Sequence, residues 1–436
     1  MEKINGKSIR QAITPDDIAA AENSEITLSA CVHKIKKTGS FYFVLLRTGR
    51  YVYQTVYRAG KCDGDFDNLC EGAYVTVTGE VKKEERAPYG FEITLISFEI
   101  LSKPKEEYPL DVSSNHLGCS IETSMEHRTA ALRHPEERAV FKISEGVTTA
   151  FCSFMLKNGF TEIHTPKITT LNTEDTKHAF KLKYFGETAY LAQSPQMYKQ
   201  AAVAFFDRVF EVGSAYRADK HNSTRHLNEF ISLDFEMAYI DDMRDIMAEM
   251  TALLVHIVKY LDKHYQNEID ILGVTLPEIK NIPCVTFYEA LEILGKSKTQ
   301  PDLDPTDEVK ICRWAKEAHN TDLIFIEKFP QKKRPFYAMD NAENPKLTET
   351  FDLLFAGKEI ASGGQRIHDY DEQAAKIKRF DFDEEQYAPY LEIHRYGMPP
   401  HGGAAIGLER FVMQLLGLDD IRQATLFPRD LHHITP

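Results

Sequence analysis

The chain has 436 residues, is 43% hydrophobic and 27% charged, and carries a net charge of −14. That length exceeds one ordinary core and predicts two or three domains, while the composition excludes a fibrous or disordered protein. No apolar run approaches the roughly 18 residues of a membrane span and the first residues lack the apolar middle of a signal peptide, so a cytoplasmic protein with no membrane partner is expected. The acidic total argues against a nucleic-acid partner, but residues 1–104 hold 14 Lys and Arg against 14 Asp and Glu. This neutral part clusters its bases in "HKIKKTG" and "VKKEER", where a local positive patch can form.

Between residues 25 and 101 five β-rich runs, "EITLSACVHKI", "SFYFVLLRT", "RYVYQTVY", "AYVTVTGEV" and "FEITLISFEIL", alternate with turn residues and predict a small five-stranded barrel. The OB-fold is the commonest such barrel and binds single strands by stacking bases on aromatic rings. "SKPKEEYPLDVSS" follows as a charged, proline-punctuated linker. The expected division is a barrel domain at 1–104, a linker and hinge region at 105–134 and a larger domain at 135–436. The larger domain opens on a long helix, with Pro135, Glu136 and Glu137 in its first turn and a stop at Asn158-Gly159. Its stripe of Val140, Ile143, Val147, Phe151 and Phe154, widened by Phe141 and Met155, predicts packing on more than one side. Thereafter strands such as "RVFEVGSAY", "EFISLDFEMAY", "TFDLLF" and "GAAIGLE" mix with helices near 241–265, 305–319 and 410–416 without strict βαβ alternation, which indicates an α+β domain on a mostly antiparallel sheet. Seven cysteines, odd in number and without a CxxC pair, indicate neither a disulfide framework nor a zinc site.

From Phe230 the pattern has period two. Ile231, Leu233, Phe235 and Met237 fall on one face, and Phe230, Ser232, Asp234 and Glu236 on the other, preceded by Arg225 and His226. By alternation alone this is an antiparallel strand with one solvated face.

"GFTEIHTPKI", "FEVGSAYRADKHNSTRHLNEF" and "GLERF" resemble, in order, motifs 1, 2 and 3 of class II aminoacyl-tRNA synthetases. "YLAQSPQMYKQ", "EIASGGQRIHDYD", "YGMPPHGG" and "TLFPRDLHHITP" resemble the aspartyl-tRNA synthetases of archaeal and eukaryotic type. The resemblance implies an OB-fold anticodon-binding domain joined to a class II catalytic domain, in a cytoplasmic homodimer whose two-fold interface is motif 1 with Pro166. It implies a ligase that makes aspartyl-AMP from L-aspartate and ATP with Mg²⁺, then charges tRNA(Asp), and it leaves tRNA(Asn) open as a second acceptor. Such chemistry brings a carboxylate against the α-phosphate, so the site needs cations and positioning more than acid–base groups.

Carried over residue by residue, the resemblance makes Arg217 the bridge between α-phosphate and substrate carboxylate, where a bidentate fork outperforms lysine. His226 reaches the outer phosphates, Phe230 stacks on adenine and Arg410 meets the γ-phosphate. Lys199 and Arg366 hold the aspartate side chain, and Glu174, Gln196, Asp234 and Ser362 surround the rest of the amino acid. Two buried cations left uncompensated would favour aspartate over neutral asparagine. Asp352 and Glu359 are the implied Mg²⁺ ligands, with Glu359 also at ATP. A hairpin turn at Gly357-Lys358 would put both carboxylates on one face. In the barrel, Phe43 and Gln54 match the groups that stack on and read the central anticodon base, a uracil, with Lys36 near the first base. His33 and "APYG" resemble members that also charge tRNA(Asn), and His33 occurs as well in members that do not.

Two departures stand out: Glu174-Asp175-Thr176 where the family has Glu-Gly-Gly, and Ala405 where glycine is usual, a methyl that either crowds the nucleotide or is accommodated by a small shift. The alternatives are an asparaginyl-tRNA synthetase and a paralogue that transfers activated aspartate to a non-tRNA acceptor. An RNA-binding paralogue without ligase activity is opposed by the presence of both Arg217 and Arg410.

Overall fold

The computed structural model describes residues 2–9, 13–170, 178–220 and 223–435. The chain forms two compact units, Met1–Arg138 and Ala139–Pro436.

In the first unit, β1 (Glu25–Thr38), β2 (Phe41–Thr48), β3 (Tyr51–Tyr57), β4 (Tyr74–Lys83) and β5 (Phe91–Ser102) close on themselves. β1 pairs with both β2 and β4, and β5 joins β3 to β4. This is the five-stranded barrel that the alternation predicts. Alternate residues such as Ile26, Leu28, Val44, Leu46 and Val77 point into its core, because successive side chains of a strand face opposite sides. The register slips between Val32 and Lys34, a bulge centred on His33.

The second unit begins within α1 (Pro135–Lys157), whose buried residues run from Ala139 to Met155. Its wide stripe meets two neighbours. Phe151 packs edge-on against Phe210 at 5.7 Å on the sheet, and Gly146 lies so close to a second helix that an added Cβ would fall 2.5 Å from Leu261 Cδ2. One expectation needs correction: α1 has 23 residues and holds an 18-residue stretch of mean hydropathy 1.2, long and apolar enough to cross a membrane by composition. Its apolar side is instead part of this core.

The remaining elements that shape the site are β6 (Thr161–Glu162), α2 (Gln196–Phe206), β7 (Arg208–Tyr216), β8 (Glu229–Ala238), α3 (Met243–His264), β9 (Cys284–Thr286), α4 (Pro305–His319), β10 (Leu323–Glu327), β11 (Thr350–Phe355), β12 (Lys358–Arg366), β13 (His401–Gly407) and α5 (Leu408–Leu416). The strands form one eight-stranded sheet in the order β9-β10-β11-β12-β13-β8-β7-β6. Only its outermost pairs, β9 with β10 and β7 with β6, are parallel. α1, α3 and α5 share one core with the sheet through residues such as Val147, Leu254, Phe351 and Phe411. That leaves the face of β8, β12 and β13 carrying Asp234, Ser362 and Ala405 for the site, where these three stand in one row across the strands.

Candidate active site

A cavity of about 510 Å³ opens on that face. Gln196 and Lys199 from α2, Ser362 and Arg366 from β12, and Ser232 from β8 contribute to its wall. Lys199 Nζ donates to Asp234 Oδ1 at 2.9 Å and lies 3.3 Å from Glu236 Oε2. Arg366 Nε donates to Glu236 Oε1 at 2.9 Å, and its terminal nitrogen donates to the Gly403 carbonyl at 3.0 Å. The same guanidinium stands 5.3 Å from the centre of the Tyr337 ring, a cation–π contact. Glu236 has no exposed surface. Burial pushes its carboxyl up, but Arg366 and Lys199 outweigh that and hold it below the usual range. Gly403 makes room for this carboxylate, since any Cβ there would collide with Glu236 Oε2 and the Phe235 carbonyl.

Two expectations change here. Neither face of β8 is solvated, with Asp234 1% and Glu236 0% exposed. Nor are Lys199 and Arg366 uncompensated, because Asp234 and Glu236 match them charge for charge. Ala405 pairs with Asp234 on one side and Ser362 on the other and lines the cavity. Glu174, with Asp175 and Thr176, lies outside the described residues.

Asp352 and Glu359 share a face, as the hairpin parity predicts, with the turn one residue earlier than expected. The turn is Ala356-Gly357, both with positive φ (47° and 92°), as a two-residue hairpin of the I′ kind demands. Leu354 then pairs with Glu359, and Leu353 with Ala361, so Ile360 is an extra residue in β12. The shifted turn leaves Asp352 and Glu359 on one face, and the bulge at Ile360 brings Ser362 onto the same face. Asp352 is gripped by Arg334 in two bonds of 2.8 and 2.5 Å, and that guanidinium lies 3.7 Å over the Phe329 ring. Burial pushes the Asp352 carboxyl up to about 6 against the pull of Arg334, and the like charge of Glu359 adds to the rise. Two carboxylates on one wall of a cation-rich cavity suit Mg²⁺ completed by phosphate oxygens. Among the described residues no group of three or more His, Cys, Asp or Glu could hold an ion alone.

Further along β12 and its neighbours, Arg217, His226, Phe230 and Arg410 also line the cavity. Arg217 stands 5.6 Å from the Phe230 ring centre. His226 Nδ1 is 2.6 Å from Ser223 Oγ. Arg410 donates to the Glu359 carbonyl at 2.9 Å. Glu409 turns back to β8, where the Ile231 amide donates to both its oxygens at 3.0 Å, and burial raises its carboxyl to about 7.

On the barrel, Lys36 pairs with Phe43 across β1 and β2, and Leu45 pairs with Gln54 across β2 and β3, so the three residues share one outer face. Phe43 is half-buried, meets Phe41 edge-on at 5.1 Å, and is absent from the barrel core. Gln54 donates its amide to Glu92 at 3.1 Å. His33, by contrast, is only 8% exposed, and burial helped by Arg47 and His134 lowers its pKa to about 4.

Residues 120–431 match the family described as tRNA synthetases class II (D, K and N). The chain belongs to that family. It is 39% identical over 425 residues to the aspartate–tRNA(Asp/Asn) ligase of Deinococcus radiodurans, covering 95% of this chain and 96% of that one. It is 38% identical over 422 residues to the aspartate–tRNA(Asp) ligase of Thermococcus kodakarensis, covering 94% and 96%. Its fold superposes with a TM-score of 0.89, at 28% identity, on the asparaginyl-tRNA synthetase of Pyrococcus horikoshii complexed with asparaginyl-adenylate, covering 98% of this chain and all of that one.

Several residues of this class II synthetase site escape a reading of the sequence. Glu236 carried a signal, because it shares the alternating face of Asp234. Glu409 adjoins a motif arginine. Arg334 and Glu308 carried none, since each reaches the cavity from an element far off in sequence.

The Glu409 carboxyl yields one expected outcome. Folding raises its pKa, so its contribution to stability is most favourable below the ordinary value of 4.5 and declines as pH rises toward about 7. Glu409→Gln removes this decline, so the unfolding midpoint of the variant relative to wild type should rise across that window and then level. A difference that does not vary with pH would contradict the assignment.

Proposed function

We propose that this class II synthetase is an aspartate–tRNA ligase that forms aspartyl-AMP from L-aspartate and ATP and then esterifies the terminal adenosine 3′-hydroxyl of tRNA(Asp). The observation that carries it is the Lys199–Arg366 pair opening into the same cavity as Arg217 and Arg410. Both amino-acid cations are donors only. A carboxylate accepts from both, whereas an amide would turn one NH₂ against a donor. This supports aspartate over asparagine even though the cluster is internally neutral, and the aspartate ligases at 38 and 39% identity support it independently.

In this reading Lys199 and Arg366 receive the side-chain carboxylate, while Gln196, Asp234 and Ser362 surround the α-amino end. Phe230 receives adenine. Arg217 bridges the α-phosphate and the attacking α-carboxylate, lowering their repulsion as the new O–P bond forms and pyrophosphate leaves. His226 and Arg410 take charge from the outer phosphates. Asp352 and Glu359 are the residues that would hold Mg²⁺, which when bound neutralises charge on those phosphates. No side chain needs to transfer a proton in this step, which agrees with a site built of forks and ion pairs.

We place the anticodon on the outer barrel face, with Phe43 stacking on the central base, Gln54 reading it and Lys36 near the first. The Deinococcus relative named for both tRNA(Asp) and tRNA(Asn), together with the exposed Tyr89 of "APYG", supports tRNA(Asn) as a second acceptor. His33 would act there through the shape of its bulge, being buried. The enzyme is taken to work as a cytoplasmic homodimer joined through motif 1 and Pro166.

Amino-acid-dependent pyrophosphate exchange tests the assignment, with aspartate expected to support it and asparagine not. Preference for asparagine would make the chain an asparaginyl-tRNA synthetase. Exchange with aspartate but no charging of tRNA(Asp) would point to a non-tRNA acceptor. Phe43→Ala should leave exchange intact while raising the tRNA KM about tenfold to a hundredfold, the cost of one lost base stack. Unchanged charging would return Phe43 to a packing role.

A further inference from the structure

A buried line of polar side chains adjoins the ion pairs of the amino-acid pocket. His401 opens β13, paired with Arg366 of β12 on one side and Ala238 of β8 on the other, and has no exposed surface. Its Nδ1 lies 2.8 Å from the Pro399 carbonyl, and its Nε2 lies 3.0 Å from Gln200 Nε2. Gln200 follows Lys199 on α2 and is equally buried. Tyr390, from the helix Glu384–Arg395, donates to Gln200 Oε1 at 3.2 Å and stands 3.4 Å from Gln373 Oε1. Gln373, from the helix Tyr370–Arg379, donates its amide to the Phe336 carbonyl at 3.2 Å. The residue after Phe336 is Tyr337, whose ring meets Arg366. The line thus runs from the helix that carries Lys199 to the ring that meets Arg366.

These partners fix the protons of the His401 ring. A carbonyl only accepts and an amide nitrogen only donates, so the ring carries its hydrogen on Nδ1 and a lone pair on Nε2. Turning the Gln200 amide over would require both ring nitrogens to be protonated. That would place a third cation beside Lys199 and Arg366, where Asp234 and Glu236 already match two, and a buried charge without a partner is costly. Burial lowers the ring's pKa to about 4, with Arg366 and His394 adding to the fall and Glu236 opposing it. The tie matters because α2 starts at Gln196 and its cap residue, Pro195, makes no side-chain hydrogen bond to it. Lys199 and Gln200 therefore sit near a helix end that needs anchoring from outside.

We infer that His401 is a positioning residue for the aspartate side chain: as a neutral ring it anchors Gln200, and so fixes the turn of α2 that aims Lys199, without adding a charge to the pocket. The inference rests on the cavity being the aspartate site.

Aspartate-dependent pyrophosphate exchange by the full-length chain tests it, with thermal unfolding to confirm folding. His401→Asn keeps a donor for Pro399 but offers nothing to Gln200, and should raise the KM for aspartate about tenfold while the KM for ATP stays within about twofold. His401→Gln restores an acceptor at the reach of Nε2 and should recover most of the loss. Gln200→Leu should give the same split as His401→Asn, and carries the readout if that variant does not fold. The double variant should be no worse than the more impaired single one, because the two residues act as one unit. Between about pH 6 and 8 the ratio of the KM for aspartate in His401→Gln to that in wild type should stay level, since the ring is neutral throughout. A ratio that moves about tenfold across that window would reveal a titrating ring and overturn the inference. Equal rises in both KM values, or a glutamine variant as impaired as the asparagine one, would show packing alone and overturn it too. Wild type that exchanges with aspartate while every variant matches it overturns the inference alone, whereas wild type that does not exchange with aspartate overturns the aspartate site with it.

Discussion

Glu236 is a carboxylate with no exposed surface, clamped between Lys199 and Arg366. Removing one partner from such a buried ion pair typically costs about 3–5 kcal/mol, so these side chains stand or fall together. The constraint spreads outward. Gly403 must lack a side chain to admit the carboxylate, and its carbonyl takes the remaining hydrogen bond from Arg366. Asp234 takes Lys199 from the other side and is itself fixed by Ser232 at 2.5 Å. Three neighbouring strands and α2 are therefore held in register by one charge cluster. The pocket's cations are aimed before any ligand arrives, which is how a site gains specificity without reorganising.

The antiparallel sheet makes this possible. Each strand delivers functional groups at every second residue, and pairing aligns them in rows. β12 alone spans the site, from Glu359 through Ser362 to Arg366, seven positions or roughly 20 Å at strand spacing. One length of chain can thus line the cavity from end to end. The bulge at Ile360 lets Glu359 face the same way as Ser362 although they are an odd number apart. Without it one of the two would point into the core.

Much of this was legible in the sequence because periodicity and turn residues report local structure directly. The five barrel runs, the two-sided helix 135–157 and the alternation after Phe230 all have local causes. Misreadings arose where tertiary context decides. Alternation at 230–237 reads as half-solvated, and α2 covers that face instead. The turn at 356–357 was displaced by one because Ala356 adopts a positive φ that its residue type does not advertise. The partners of Asp352 and Arg225 were invisible, since Arg334 and Glu308 lie 18 and 83 residues away, beyond any periodic signal.

Glu236→Gln tests the central role of the cluster most directly, read as the KM for aspartate in pyrophosphate exchange. The substitution is nearly isosteric and makes the pocket more positive. If charge alone selected the substrate, aspartate would bind more tightly. If Glu236 aims Lys199 and Arg366, the amide cannot serve two cations, and the KM for aspartate should rise by at least about tenfold while ATP binding is kept. A KM that falls or stays unchanged would contradict that role.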